Sequence, residues 1–188
     1  MSSHWYGHVS RLTLSNLLYQ MVYIVLSVPD RSRDFVDFDR DTQDIRECRD
    51  EDQEHRKNIA GAASVVEGLL AATLIFVYAG LRGVPTNAKI FSIILSRLRI
   101  AIDRPAISVI EVWGREKNLK MLAWVLVVAC SVVGVEEDRA WWISKLSELC
   151  GVLEIRHQAE LKDAMTHIAW NDVFFDGRLE SIWAEMMR

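Results

Sequence analysis

Apolar residues recur along most of this chain at spacings of three and four, and short polar turns interrupt them. Residues 88–102 give the clearest case. Ile90, Ile94, Leu98 and Ala101, with Phe91 and Leu95, share one broad face, and Lys89, Arg97 and Arg99 fall outside it. That spacing predicts an amphipathic helix. Upstream, residues 11–27 read as an apolar helix ended by Pro29. Residues 54–81 read as a long helix rich in alanine, in which Gly61, Gly68 and Gly80 either weaken it or permit close helix approach. In RGVPTNAKIF, Pro85 stops one element and Thr86 or Asn87 can cap the next. DRPAIS breaks the chain again at Pro105, and WGREKN separates a short element from a helix over 120–133. Further helices are expected over 137–150, 153–170 and 177–187.

The greasy run LAWVLVVACSVVGV raises the alternatives of a buried strand and a membrane span. Its length and its helical neighbours argue against a strand. Three apolar stretches bear on the membrane: 17–28, which contains Gln20; 68–81, bounded by Glu67 and Arg82; and 121–135. The longest covers about 22 Å as a helix, whereas a hydrocarbon core needs about 30 Å. The run is therefore expected to be a helix buried nearly all round. Gly134 stands where a helix C-cap would, and Glu136, Glu137 and Asp138 suit the positive end of the next helix. The expected class is all-α, a single-domain bundle of about seven to eight helices with short connections that favour antiparallel neighbours. Residues 1–57 read as an N-terminal helix plus a charged acidic segment. Residues 58–188 read as the main helical domain, forming one compact unit with residues 9–28.

Composition adds limits. The chain has 188 residues, 51% hydrophobic and 26% charged, a globular balance rather than a disordered one. A net charge of -4 gives no reason to bind nucleic acid over the whole surface. Cys48, Cys130 and Cys150 form no C-x-x-C pair, and so few thiols suit a reducing compartment. The first residues lack the basic, apolar and small-residue regions of a secretory signal, so an intracellular protein is expected.

Candidate chemistry is sparse. Asp37, Asp39 and Asp41 open like a calcium loop, but Thr42 stands at the glycine position and Cys48 at the bidentate glutamate position. His4 and His8 have i, i+4 spacing without a third ligand, and His157 and His167 do not share a helical face. Glu154 with Glu160, or Asp163 with Asp172, could be paired, but nothing selects them. No nucleophile elbow, phosphate loop, dinucleotide-binding glycine pattern or H-E-x-x-H occurs. No catalytic residue, cofactor site or metal ligand is nominated. The acidic stretch 34–54, with Phe35 and Phe38 interleaved, reads as a solvated helix, a tether or an activation-like segment. Of seven tryptophans, Trp124, Trp141, Trp142, Trp170 and Trp183 crowd the C-terminal half, where core packing is the plain expectation and a pocket wall the alternative.

Three stretches, in order, resemble fungal-specific transcription factor domains. AATLIFVYAGLRGVP resembles their helix and turn through Leu81, Arg82 and Pro85. MLAWVLVVACSVVGVEEDRAWWISKL resembles the next block through Trp124, Arg139 and Trp141. LKDAMTHIAWNDVFFDGRLESIWAEM resembles the tail through Trp170, Asp172, Trp183 and Glu185. The resemblance implies an all-helical regulatory domain acting through protein partners in transcription regulation. It also implies room for a small-molecule effector and a nuclear location, with the cytoplasm as alternative. Members typically carry a six-cysteine zinc cluster that binds DNA; three scattered cysteines do not supply it, so no direct DNA binding is expected from this chain. Two other readings stand beside this one: a membrane-associated helical protein using 68–81 and 121–135, and a helical enzyme with a tryptophan-lined pocket.

Overall fold

The computed structural model describes residues 48–103, 108–115, 118–134 and 136–188, with the backbone alone at 48–60, 62, 115, 136 and 137. The helix expected over 11–27, the compact unit with residues 9–28, the calcium-like loop, the His4–His8 pair and Phe35 and Phe38 lie outside the described residues. Those described belong to one compact unit, Glu47–Arg188. They form seven α-helices: α1 (Cys48–Ile75), α2 (Lys89–Asp103), α3 (Val109–Arg115), α4 (Leu119–Cys130), α5 (Glu136–Val152), α6 (Gln158–Thr166) and α7 (Asp172–Met186). No strand occurs among the described residues, and the class is all-α.

Alanine and other small residues let α1 approach its neighbours closely. A Cβ at Gly68 would lie 3.3 Å from the Trp113 ring and 3.7 Å from Leu98. The buried Ser64 hydroxyl donates to the Ala101 carbonyl of α2. The last turn of the long helix widens into a π-helix, Phe76–Leu81. Arg82 N–H there donates to the Val77 carbonyl at 3.0 Å. Gly83 then takes φ 64°, which a side chain disfavours, and the Pro85 carbonyl accepts from Ala88 N–H at 2.9 Å. The apolar stretch of α1 is longer than its charged boundary at Glu67 suggests. Ala63–Leu81 is 19 residues long with mean hydropathy 1.9, enough by length and composition to cross a membrane, and half of its apolar window is buried in this fold.

α2 buries Phe91, Ile94, Leu98, Ala101 and Ile102 against α1. Ile90, expected on that face, is 39% exposed. On the helix it lies about 20° from the fully buried Ala101, so its face is the inner one; it is exposed because it is the second residue of α2, at the open end of the helix.

α4 is the centre. Every residue from Leu122 to Cys130 is buried, and the helix packs against α1, α3, α5, α6 and α7. Complete burial of each large side chain there contributes about 1.5–3 kcal/mol. α4 ends at Cys130, earlier than the run of apolar residues suggests. The N–H groups of Val132 and Val133 both turn back to the Ala129 carbonyl, and the Ser131 hydroxyl takes the Val127 carbonyl at 2.7 Å. Gly134 is thus not the cap; the positive-φ glycine among the described residues is Gly83.

Two later boundaries also differ from expectation. The helix read over 153–170 begins only at Gln158, because Glu154 takes φ 56° and His157 is extended. The Glu160 carboxylate then accepts from Arg156 N–H and His157 N–H at 2.8 and 3.2 Å, closing the N-terminus of α6. The last helix starts at Asp172, well ahead of Gly177, because Asn171 caps it by accepting from Phe174 N–H at 3.4 Å.

Candidate functional site

Arg139 is the fourth residue of α5, just beyond the corner that follows α4. Its guanidinium uses all three nitrogens. Nε and Nη2 donate to the two oxygens of Glu185 on α7 at 2.7 and 2.8 Å, and Nη1 donates to the Cys130 carbonyl at 2.8 Å. A longer contact at 3.4 Å reaches the Val133 carbonyl. The planar fork matches the carboxylate, and its positive charge meets the negative end of α4 at the same time. The two side chains are 24% and 27% exposed, so the pair is neither a free surface bridge nor a dry one. The Glu185 hydrogen bond and charge hold the Arg139 pKa above its ordinary value against partial burial. The same guanidinium holds the Glu185 carboxyl below the usual range, helped by the Ser181 hydroxyl at 3.2 Å.

A second group of ties lies where α6 turns into α7. Trp124, 4% exposed, donates its indole N–H to the Ala169 carbonyl at 2.7 Å. The neighbouring Trp170 donates to Asp176 at 3.0 Å and lies 5.0 Å from the Phe175 ring. Lys162 reaches Asp172 at 3.1 Å and Asp176 at 2.8 Å. These contacts raise the Lys162 pKa and lower that of Asp176, but the carboxylates are 74% and 43% exposed, and water screens them. Asn171 joins this corner to the π-segment, its amide donating to the Gly80 carbonyl at 2.6 Å.

The structure therefore brings some of the ten resemblance residues together and spreads others. Arg139 meets Glu185 directly. Trp124 and Trp170 flank one corner, and Asp172 joins it through Lys162. Trp141 stacks edge-on against Trp142 at 4.7 Å and carries Arg99 over its ring at 4.8 Å. Trp183 is half-buried on α7. Leu81, Arg82 and Pro85 are exposed at the turn after the π-segment, with Arg82 over the Tyr78 ring at 5.7 Å. Sequence reasoning missed Asn171, Lys162 and Asp176. Asn171 followed by an acidic residue carries a readable cap signal; the reach of Lys162 across the corner does not.

What this arrangement does chemically is hold helices together. The Cys130 thiol is pushed up to about 12, chiefly by burial, and Cys150 to about 11 by burial. Both stay protonated and are poor nucleophiles at neutral pH. Among the described residues no group of three His, Cys, Asp or Glu side chains could hold a metal ion. His157 and His167 are exposed, the latter with Nδ1 2.9 Å from the Asp163 carbonyl. Two open depressions mark this surface. One, of about 650 Å³, lies beside the Arg139–Glu185 pair and is lined also by Ile143, Ser144, Ser147 and Met186. The other, of about 480 Å³, gathers Lys120, Glu154, Glu160 and Asp163. Asp172 is engaged by Lys162 and is not in the lining of this depression. Neither depression has a tryptophan in its lining. No protein-family model matches the chain, and no curated protein or solved structure does either.

Proposed function

We propose that this chain is a regulatory interaction domain of the kind found in fungal transcription factors, working through protein contacts in the nucleus. The observation that carries the reading is the meeting of Arg139 and Glu185 across 46 positions. The second and third stretches of the resemblance are separate in the chain, yet their charged residues form one two-pronged pair. A helical domain is locked by such ties between segments distant in the chain. The Arg139–Glu185 pair and the contacts of Lys162 with Asp172 and Asp176 hold helices to one another, whereas Arg99–Asp103 and Lys145–Glu148 lie within single helices; the outward faces are the parts offered to partners. The depression beside Arg139 and Glu185 is the place for a small effector, whose binding would bear directly on the α5–α7 tie.

A tethering assay tests this. Fused to an unrelated DNA-binding module, the chain is expected to raise or lower a reporter placed beside the module's target, and Arg139→Ala to abolish the change. A tagged chain is expected to accumulate in the nucleus. A silent reporter together with exclusion from the nucleus would overturn the reading.

A second reading has its own observation in Ala63–Leu81, long and apolar enough to span a bilayer. In that case the chain is a membrane-associated helical protein and stays in the membrane pellet through an alkaline carbonate wash. Release into the supernatant as a compact particle removes this reading.

A further inference from the structure

α2 turns one face to α1 and leaves another without a covering. The outward stripe carries Ile93 and Ile100, each 54% exposed, and Ile90 at 39%. Lys89 and Arg97 stand in the same stripe: on the helix, Lys89, Ile93 and Ile100 fall within about 40° of one another, with Arg97 and Ile90 beside them. Both cations are exposed, and neither makes an ion pair within the described residues. Arg99, by contrast, points to the other edge and is engaged by Asp103 and Asp138. The stripe is therefore apolar and positively charged on a protein whose net charge is -4. From Lys89 to Ile100 it is about 16 Å long, the length of three helical turns.

The geometry points to this stripe as the docking site for an acidic amphipathic helix of a partner protein. The inference names the partner chemistry of the interaction domain proposed above and rests on that reading. Three isoleucines at this spacing receive leucine-like side chains at i, i+3 or i+4 and i+7 of an incoming helix. Lys89 and Arg97 reward carboxylates along its edge and steer its approach. A second copy of this chain fits less well. The antiparallel pairing that sets Ile93 against Ile100 of the other copy also brings the two Arg97 side chains together near the two-fold axis, where like charges repel.

The experiment uses the full chain and a fluorescein-labelled model peptide with leucines at helical i, i+3, i+4, i+7 spacing and glutamates elsewhere. Its counterpart has lysines in place of the glutamates, and vesicles of four parts phosphatidylcholine to one part phosphatidylserine form the third probe. The acidic peptide is expected to bind, to weaken as salt rises, and to lose at least tenfold in affinity on Ile93→Glu. Circular dichroism checks that the variant is folded. Should Ile93→Glu not fold, the exposed pair Lys89→Glu with Arg97→Glu decides, because it should reverse the preference towards the lysine peptide. Equal binding of both peptides, unchanged binding in the charge-reversed variant, binding of the vesicles alone, or no binding to the full chain overturns the assignment. The tethered reporter separates the two levels. A silent reporter and exclusion from the nucleus with intact peptide binding reject the regulatory reading, and an active reporter with no peptide binding rejects this docking site.

Discussion

The α1–α2 pair and the α4–α7 assembly are held by different physics. Between α1 and α2 the joint is mainly steric: small residues at Ser64 and Gly68 bring the helices close, Leu98 and the Trp113 ring of α3 fill the space that remains, and the Ser64 hydroxyl adds a hydrogen bond to the Ala101 carbonyl. Among α4, α5, α6 and α7 the joints are polar and directional. Arg139 ties α5 to α7 and to the end of α4, Trp124 ties α4 to the chain before α7, and Lys162 ties α6 to α7. A steric joint tolerates loss of charge and resists added volume. A directional joint tolerates small volume changes and fails when one partner is removed. Outside, both regions mix apolar and charged groups: α2 shows Ile93 and Ile100 beside the Arg99–Asp103 pair, and the α6–α7 corner shows Val173 beside Lys162 and its two carboxylates.

The largest effect is expected in α4, which both regions share. Leu126 is 1% exposed, and Leu126→Ala should cost about 2–5 kcal/mol through lost burial and a cavity, measured by urea unfolding. A cost under 1 kcal/mol would mean that α4 is not the common centre. The steric joint comes next. Gly68→Leu drives a bulky side chain into Trp113 and Leu98 and should cost about 1–3 kcal/mol, with a changed tryptophan fluorescence spectrum. Unchanged stability and spectrum would mean that close approach at Gly68 does not hold α1 to its neighbours.

For the directional joint, Arg139→Ala leaves Glu185 and the Cys130 carbonyl without their donor. A cost of about 1–3 kcal/mol is expected, between the ranges for surface and buried pairs. Arg139→Lys should recover only part of it, since an ammonium cannot make the two parallel bonds and reach the carbonyl as well. Full recovery would show that charge alone suffices.

The pH dependence of that joint follows from the direction of the shifts. The Glu185 pKa is depressed in the folded chain, so its contribution is present above the unfolded glutamate value of about 4.3 and is lost as pH falls through the lower folded value. The Arg139 pKa is raised from an already high value, so its share is unaffected below that range. The stability difference between the native chain and Glu185→Gln is therefore expected to be constant near neutrality and to shrink as pH falls below about 4. A difference that grows with acidification contradicts the pairing.

The smallest effect is expected on the outward stripe. Arg97→Ala should change stability by no more than about 0.5 kcal/mol, because the side chain is exposed and outside the helix joints. A larger loss would mean that the stripe serves the fold rather than a partner.

The class and the buried character of α4 were legible because both are local. A run of nine buried residues needs only the composition of LAWVLVVAC and the helical setting around it. The inner face of α2 was legible from its period, and Ile90 departs from it only because it stands in the first turn, where the helix end is open. The start of α6 was not, because the left-handed Glu154 carries a residue type that rarely adopts that conformation. The resemblance picked out Arg139 and Glu185 without saying that they touch.

What the sequence determined by itself, among the described residues, was the all-α class and the buried stretch of α4, since backbone periodicity and hydrophobicity act over a few residues. Only the tertiary structure decided that Arg139 closes on Glu185 and Cys130 together, that α1 and α2 meet through Ser64 and Gly68, and that Ile90, Ile93 and Ile100 stay uncovered. Those outcomes depend on how helices are placed around α4, and a guanidinium finds its carboxylate only after the helices that carry them have packed.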